Sequence, residues 1–98
     1  MMKPSIQFKD GCLLVRGELV FETVMKILKE SKQYFQNIHT LKIDFSDVTH
    51  ADSASLALFC EWQRYAKAKQ INLVFINTPK QLMQIAQISK VDQLLGLK

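Results

Sequence analysis

Three carboxylates and one serine lie close together where a strand, a loop and a helix are predicted to meet. Asp44 and Asp47 follow a strand-like run, and Asp52 directly precedes Ser53 at the predicted helix start. Three carboxylates could bind Mg²⁺, and the free N–H groups of a helix start could bind an anion or a nucleotide. The Ser53 hydroxyl could cap the helix, carry a phosphate or contact a partner. Residue types alone leave these roles open.

Enzymatic chemistry finds little support in the rest of the chain. Ser53, His50 and Asp52 could form a nucleophile, base and acid, but neighbouring residues at a strand tip rarely converge, and no nucleophile-elbow glycines flank the serine. Three glycines are too few for a phosphate-binding loop, and neither His39 nor His50 has metal-ligand spacing to a cysteine or histidine. We therefore predict no catalytic residue, metal or cofactor. We expect Asp52 to cap the helix, Asp47 to be solvated and both histidines to lie in loops.

The composition limits the classes of protein to which this chain can belong. The 98 residues suffice for one domain, placed over residues 1–98, and a net charge of +4 on scattered lysines is too weak for a dedicated nucleic-acid binder. No apolar run reaches the roughly 18 residues of a membrane span, and the N-terminus lacks the apolar core of a signal peptide. Cys12 and Cys60 are expected as buried or half-buried free thiols in a reducing compartment. These features predict a cytoplasmic protein without direct membrane insertion.

Hydrophobic periodicity predicts an α/β fold in which strands alternate with helices. Asp10-Gly11 predicts an N-terminal β-hairpin, and strands joined through helices predict a largely parallel sheet with right-handed crossovers. Thr78, Pro79 and Gln81 form a capping-box pattern for a third helix. We predict strands at 5–8, 12–16, 41–45 and 71–76, the last of them covered on both faces of the sheet, with a break at 17–19. We predict helices at 22–35, at 53–69 and from 79 onward, and a last helical turn at 91–95. A polar loop is predicted before residue 53.

The predicted helix 53–69 has two unlike faces. At about 100° per residue, its apolar side chains share a broad face that we expect to cover the sheet. The opposite face begins with small side chains and ends with cations, so it is either an ordinary solvated face or a docking surface. We favour docking, because small side chains let another backbone approach closely. The predicted stripe is Ser53, Ala57, Cys60, Arg64 and Lys67, and the predicted buried face is Ser55, Leu56, Leu58, Phe59, Trp62 and Ala66.

Two segments of this region resemble the STAS domain family, the module of bacterial anti-sigma factor antagonists and of sulfate transporter tails. The family pattern is a strand ending in a D-L-S-x-V-type segment, a polar loop, and D-S/T-x-G-L at a helix start. The corresponding segments here are Asp44-Phe45-Ser46-Asp47-Val48 and Asp52-Ser53-Ala54-Ser55-Leu56. The resemblance covers nearly the whole chain and implies a SpoIIAA-like fold, a four-stranded mixed sheet with an N-terminal β-hairpin and three to four helices.

Within this family, the chain is similar to the MlaB-like branch, the small cytoplasmic subunits of phospholipid-moving ABC transporters. The matching pieces are Val15-Arg16-Gly17-Glu18-Leu19 and the run from Asp52 to Leu58. The resemblance implies no catalytic activity and places the Ser53 hydroxyl in the contact with a cytosolic, MlaF-like ATPase subunit. It also implies an indirect link to the membrane permease, a location at the inner face of the inner membrane, and a role in outer-membrane lipid asymmetry. The expected partner-binding residues are Asp52, Ser53, Ala57, Cys60 and Arg64.

Two positions depart from the family pattern. Many members carry glycine where this chain has Ser55, a change that the first turn of a helix tolerates. In SpoIIAA-like antagonists the phosphorylated hydroxyl is commonly the second residue after the aspartate, which is Ala54 here. Phosphorylation at that position is excluded, and Ser53 is the remaining candidate. The alternative hypothesis is therefore an anti-sigma factor antagonist controlled by phosphorylation of Ser53.

Overall fold

The sheet has four strands in the order β1-β2-β3-β4. The computed structural model describes residues 5–80 and residue 83. β1 pairs antiparallel with β2, whereas β2, β3 and β4 run parallel, which confirms the predicted mixed sheet. The strands are β1 (Ser5–Lys9), β2 (Cys12–Leu19), β3 (Thr40–Ala51) and β4 (Asn72–Ile76), and the helices are α1 (Val24–Ser31), followed by a 3₁₀ turn (Lys32–Tyr34), and α2 (Ala54–Ala68).

The turn between β1 and β2 has the predicted two-residue geometry. Lys9 pairs with Cys12, and Asp10 and Gly11 between them have φ values of 52° and 75°. Two consecutive positive φ values define a type I′ turn, whose twist matches that of the flanking strands and which favours Asp-Gly. The hairpin register therefore follows from this dipeptide.

Both helices lie on the same face of the sheet. Each joins two adjacent parallel strands, and right-handed crossovers that proceed in one direction along a sheet place their helices on one side. Every residue of the predicted buried face of α2 is buried except Leu56, which is half-buried, and the predicted inward positions from Val24 to Phe35 are also buried. The largest fully buried side chains are Trp62, Phe35, Phe45, Phe59, Leu13, Leu19, Ile27, Leu41, Ile43 and Val15.

A buried polar link joins the two helices. The Trp62 indole N–H donates to the Ser31 hydroxyl oxygen at 2.8 Å, and the Ser31 hydroxyl donates to the Leu28 carbonyl oxygen at 2.8 Å. Both side chains are fully buried. Because a buried indole N–H without an acceptor would lose its hydrogen bond to water, Ser31 fixes where α2 packs on α1.

β2 and β3 are both longer than predicted. The expected break at Gly17 to Leu19 is wrong, since these residues continue β2, and the expected polar loop is wrong, since β3 extends through Ala51. The two extensions pair with each other in parallel, with register shifts on either side of Gly17. Gly17 has a φ of 90°, a conformation that a side chain would strain, so the glycine turns the strand through an irregularity without ending it.

Helix boundaries and the last strand differ from expectation in smaller ways. Of the predicted helix 22–35, the regular helix α1 covers Val24–Ser31 and a 3₁₀ turn covers Lys32–Tyr34. β4 lies at the sheet edge with mostly half-buried residues, so it is less covered than predicted. The Met83 N–H donates to the Pro79 carbonyl oxygen at 3.1 Å, and the first helical residue is Lys80, one position after the predicted start. Gln81 and the predicted turn at 91–95 lie outside the described residues.

Candidate interaction surface

Asp52 joins the start of α2 to the segment that leads into α1. Its Oδ1 accepts a hydrogen bond from the Ala54 N–H at 2.9 Å, and its Oδ2 accepts one from the Phe21 N–H at 3.3 Å. Its own backbone N–H donates to the Leu19 carbonyl oxygen at 3.1 Å. The carboxylate satisfies a free N–H of the first helical turn, as predicted. A bound anion would have to displace this carboxylate, which disfavours the anion-binding alternative.

Ser53 stands at the N-cap position of α2 with its side chain available. The residue is exposed, and its hydroxyl makes no capping hydrogen bond. The first turn is instead closed by Asp52, whose carbonyl oxygen accepts from the Ser55 hydroxyl and from the Ser55 N–H. The capping role considered for Ser53 therefore falls to its neighbours, and the hydroxyl is left facing solvent.

The stripe predicted along α2 is exposed over its whole length. Ser53, Ala57 and Cys60 present small side chains in the N-terminal half, and Arg64 and Lys67 follow in the C-terminal half. Cys60 is an exposed free thiol, which corrects the expectation of a buried or half-buried one, whereas Cys12 is half-buried. The Arg64 guanidinium lies 2.7 Å from the Glu61 carboxylate, in an exposed ion pair. We call this set of five residues the α2 stripe.

The remaining aspartates have separate partners. Asp44 accepts hydrogen bonds from the Ser46 N–H at 2.9 Å and from the Asn77 side-chain amide at 3.0 Å. Asp47 is solvent-exposed, as expected, and pairs with Arg16 at 3.3 Å. Within residues 5–80 and 83, no group of three acidic, histidine or cysteine side chains is arranged to hold a metal ion. The Mg²⁺ alternative therefore has no support in the described region.

The histidine near Ser53 is also placed away from any catalytic arrangement. His50 lies in β3, not in a loop as predicted, and it is exposed and in register with Glu18 of β2. His39 is exposed just before β3. No hydrogen bond joins His50 to Ser53 among the described residues, and Asp52 is occupied by two backbone N–H groups. The geometry therefore offers Ser53 as a contact residue and gives it no base.

Electrostatic shifts occur on the other face of the sheet. Partial burial alone would raise the pKa of Asp44, but the hydrogen bonds from Asn77 and Ser46 outweigh it and hold the pKa below the usual 3.8. Burial, followed by the nearby Asp44 carboxylate, raises the pKa of the Cys12 thiol above 9.0. Both effects favour a charged Asp44 carboxylate beside a neutral Cys12 thiol. Because the thiolate is the nucleophilic form of cysteine, Cys12 is not activated as a nucleophile.

The exposure of two apolar residues was not predicted from the sequence. Phe21 is 76% exposed and Met25 is 70% exposed. For Met25 the sequence did contain a signal of exposure, because its helical position falls among the lysines of α1 and away from the buried face of that helix. Phe21 carried no such signal, because it lies in the turn before the helix, where periodicity gives no direction.

The fold and the exposed helix start define a STAS-type domain. The family model described as "Mlab, STAS domain" matches residues 2–96, so the chain belongs to this STAS family. A search of curated proteins found no match.

Solved structures support the fold independently. The anti-sigma factor antagonist SpoIIAA in its unphosphorylated form is 16% identical, with a TM-score of 0.65 over 96% of this chain and 99% of SpoIIAA. The phosphorylated SpoIIAA of Bacillus is 17% identical, with a TM-score of 0.67 over 92% of this chain and 86% of that one. A third structure, Mglu, is 15% identical with a TM-score of 0.60, over 80% of this chain and 20% of Mglu. At these identities the likeness establishes a SpoIIAA-like fold. In the described part of the chain, no helix is long and apolar enough to cross a membrane.

Proposed function

We propose that this chain, as a single STAS domain over residues 1–98, is a non-enzymatic accessory subunit that binds and regulates the cytoplasmic ATPase of an Mla-type ABC transporter. In this role it would serve phospholipid transport and outer-membrane lipid asymmetry, held at the inner face of the inner membrane through its partner. The observation that carries the proposal is the match to the "Mlab, STAS domain" family over residues 2–96.

The α2 stripe supports a protein contact as the mode of action. Its N-terminal half has no long side chain at Ser53, Ala57 or Cys60, and all three residues are exposed. A partner backbone could approach such a surface closely and exclude water from it, as the centre of an interface requires. Arg64 follows at the cationic end of the stripe, where a charge contributes more to steering than to affinity.

The Asp52 contacts support a pre-formed surface. Asp52 holds the first turn of α2 and the Phe21 backbone at once, so the segment around Ser53 is fixed before a partner arrives. A fixed surface loses little conformational entropy on binding. We therefore assign Asp52 mainly to positioning, with Ser53 and Ala57 in direct contact with the ATPase.

Co-purification with the ATPase subunit tests this proposal. Ser53→Glu and Ala57→Arg each place a large charge where close approach is needed, and each should abolish co-purification. Ser5→Glu and Gln7→Arg introduce matching side chains at exposed positions of β1, and these variants should co-purify at the wild-type yield. If Ser53→Glu and Ala57→Arg also co-purify fully while remaining folded, the stripe is not the ATPase contact.

The second candidate is an anti-sigma factor antagonist, favoured by the free hydroxyl at Ser53. The hydroxyl is exposed and makes no capping bond, so a kinase could reach it without unfolding the helix. This hypothesis expects a kinase-type anti-sigma factor to transfer phosphate to the wild-type chain and not to Ser53→Ala. Absence of incorporation, together with retention of the ATPase subunit, would reject it in favour of the first candidate.

A further inference from the structure

A pair of exposed apolar side chains lies at the start of α1, one just before the helix and one in its first turn. Phe21 and Met25 are four residues apart, with 76% and 70% of their surfaces exposed. By contrast, Phe8 is 38% exposed and stacks on Tyr34 at a centroid distance of 4.9 Å. Single exposed apolar residues are ordinary, whereas a contiguous exposed apolar patch marks an interaction site.

The backbone beneath this pair is held in place by hydrogen bonds. The Val20 N–H donates to the Thr23 hydroxyl at 3.0 Å, and that hydroxyl donates to the Glu18 carbonyl oxygen at 2.7 Å. The Val24 N–H donates to the Val20 carbonyl oxygen at 3.0 Å. These bonds hold the backbone of the turn on both sides of Phe21, whose side chain lies exposed on it.

The apolar pair is continuous with the α2 stripe. The Phe21 N–H donates to Asp52, the residue directly before Ser53, so Phe21 borders the N-terminal end of the stripe. α1 and α2 pack on the same face of the sheet and connect parallel strands, so they run in the same direction. Because the two helices pack against each other, their N-terminal ends lie side by side, with Phe21 and Met25 on one and Ser53 and Ala57 on the other.

Lysines border this surface on the α1 side. Met25 and Leu28 line an open groove together with Lys26, Lys29 and Lys32. All three lysines are exposed, and the Lys32 ammonium is placed 5.3 Å from the centre of the Tyr65 ring. A partner that covers Met25 would complement this border best with acidic side chains.

The carboxylates beside Phe21 favour a protein partner over a lipid surface. Glu22 is exposed next to Phe21, and the Asp52 carboxylate accepts from the Phe21 N–H. On an anionic bilayer the headgroups would attract the lysines of α1, but they would repel these two carboxylates, which lie directly at Phe21. A protein partner can instead seat the ring in a recess and leave the carboxylates at the rim.

From this placement we infer that Phe21 and Met25 are the apolar anchors of the partner interface. The partner is a protein that presents an apolar recess to the two side chains and acidic residues to Lys26 and Lys29. The inference rests on the proposed function, because it extends the same ATPase contact from α2 onto α1. Large anchors that fill a recess dominate the affinity of many interfaces, whereas the stripe supplies close approach.

Binding of the purified ATPase subunit by Phe21→Ser, Met25→Ser and the double variant tests the inference. Each single change should weaken binding about tenfold, and the double change by about fiftyfold or more, as expected for interface anchors. Lys29→Glu should weaken binding, while Lys42→Glu, on β3, should not. Leu14→Ser, at a half-buried leucine of β2, is the apolar control and should bind within about twofold of wild type, a change below 1 kcal/mol. Thermal unfolding should show the exposed-site variants folded.

The Ala57→Arg variant in the same assay separates the two proposals. Loss of binding in Ala57→Arg but not in the double variant would overturn the anchors and leave the ATPase contact standing. Wild-type binding in both variants would overturn the anchors and the α2 stripe as the contact surface. No binding by the wild-type chain would overturn the ATPase contact itself, and the anchors with it. Two further outcomes would also overturn the anchors. In the first, the wild type floats with phosphatidylglycerol vesicles and the double variant does not. In the second, the wild type forms a dimer and the double variant is a monomer.

Discussion

Asp44 ties the middle of β3 to the turn that follows β4. Its carboxylate lies on β3, in register with Ile76 of β4, and accepts from the Asn77 amide just beyond that strand. Asn77 has a φ of 56°, a left-handed conformation that asparagine adopts more readily than most residues. The residue type therefore serves two purposes, since it permits the turn after β4 and supplies the donor for Asp44.

This pairing predicts a pH dependence that one substitution should alter. The pKa of Asp44 is below 3.8 in the folded protein, so the stabilisation from this group is present above 3.8 and is lost as the pH falls through the lower, folded-state pKa. Asn77→Gly keeps the left-handed turn but removes the amide, so the pKa of Asp44 should rise and the stabilisation should decrease. NMR titration of the Asp44 carboxyl in both proteins measures the difference. An unchanged pKa in Asn77→Gly would show that Ser46 alone sets the shift.

At the residue scale, the sequence predicted which side chains are exposed better than it predicted their hydrogen-bond partners. Exposure of the α2 stripe followed from helical spacing alone, because all its members lie within a narrow angular range. The partners of the aspartates did not follow, because Asp52 and Phe21 are 31 residues apart and Asp44 and Asn77 are 33 apart. Only the folded sheet brings those positions together. The choice among the roles left open for Ser53 also needed the structure, which gives the capping hydrogen bonds to Asp52 and Ser55.

At the scale of elements, the link between Ser31 and Trp62 sets how the helices pack. Ser31→Ala leaves the buried indole N–H without its acceptor, and an unsatisfied buried donor costs about 1–3 kcal/mol. In a Trp62→Phe background the same change should cost under about 0.5 kcal/mol, because the donor is already absent. Urea unfolding followed by far-UV circular dichroism measures the cycle, since Trp62 is the only tryptophan and fluorescence is lost with it. Equal costs of Ser31→Ala in both backgrounds would mean that the hydrogen bond does not couple the helices.

The lengths of β2 and β3 show where element prediction failed. The run from Ser46 to His50 is polar because only Thr40 to Asp44 pair with β4, which leaves the later half of β3 paired on one side only. Solvent reaches that half, so its sequence resembles a loop although its backbone is a strand. Gly17 was misjudged for a related reason, since a glycine in a strand irregularity and a glycine in a loop look the same in sequence. The order of elements was predictable because the buried parts keep their periodicity.

At the scale of the whole molecule, the helical layer has two chemically different ends. The N-terminal ends of α1 and α2 carry Phe21, Met25, Ser53 and Ala57 beside a single lysine, Lys26. Most of the exposed cations follow toward the C-terminal ends, at Lys29, Lys32, Arg64 and Lys67. Contact at the first end should control how long a complex lasts, because buried contacts mainly affect dissociation. Charge at the second end should control how fast a complex forms, because exposed charges act mainly on the encounter.

Lys67 tests this division, since it is exposed at the cationic end of the α2 stripe. Lys67→Glu lowers the net charge from +4 to +2, and so does Lys42→Glu on β3, so the two variants differ only in where the charge lies. If the helical layer faces the partner, Lys67→Glu should slow association with the ATPase subunit by about fivefold to tenfold at low salt, with little change in the dissociation rate. Lys42→Glu should slow association much less, and the gap should close near 1 M salt, where the screening length is about 3 Å. Surface plasmon resonance over a range of salt concentrations measures both rates. Equal slowing by the two variants would mean that net charge alone acts and that the partner does not approach along the cationic end of the helices.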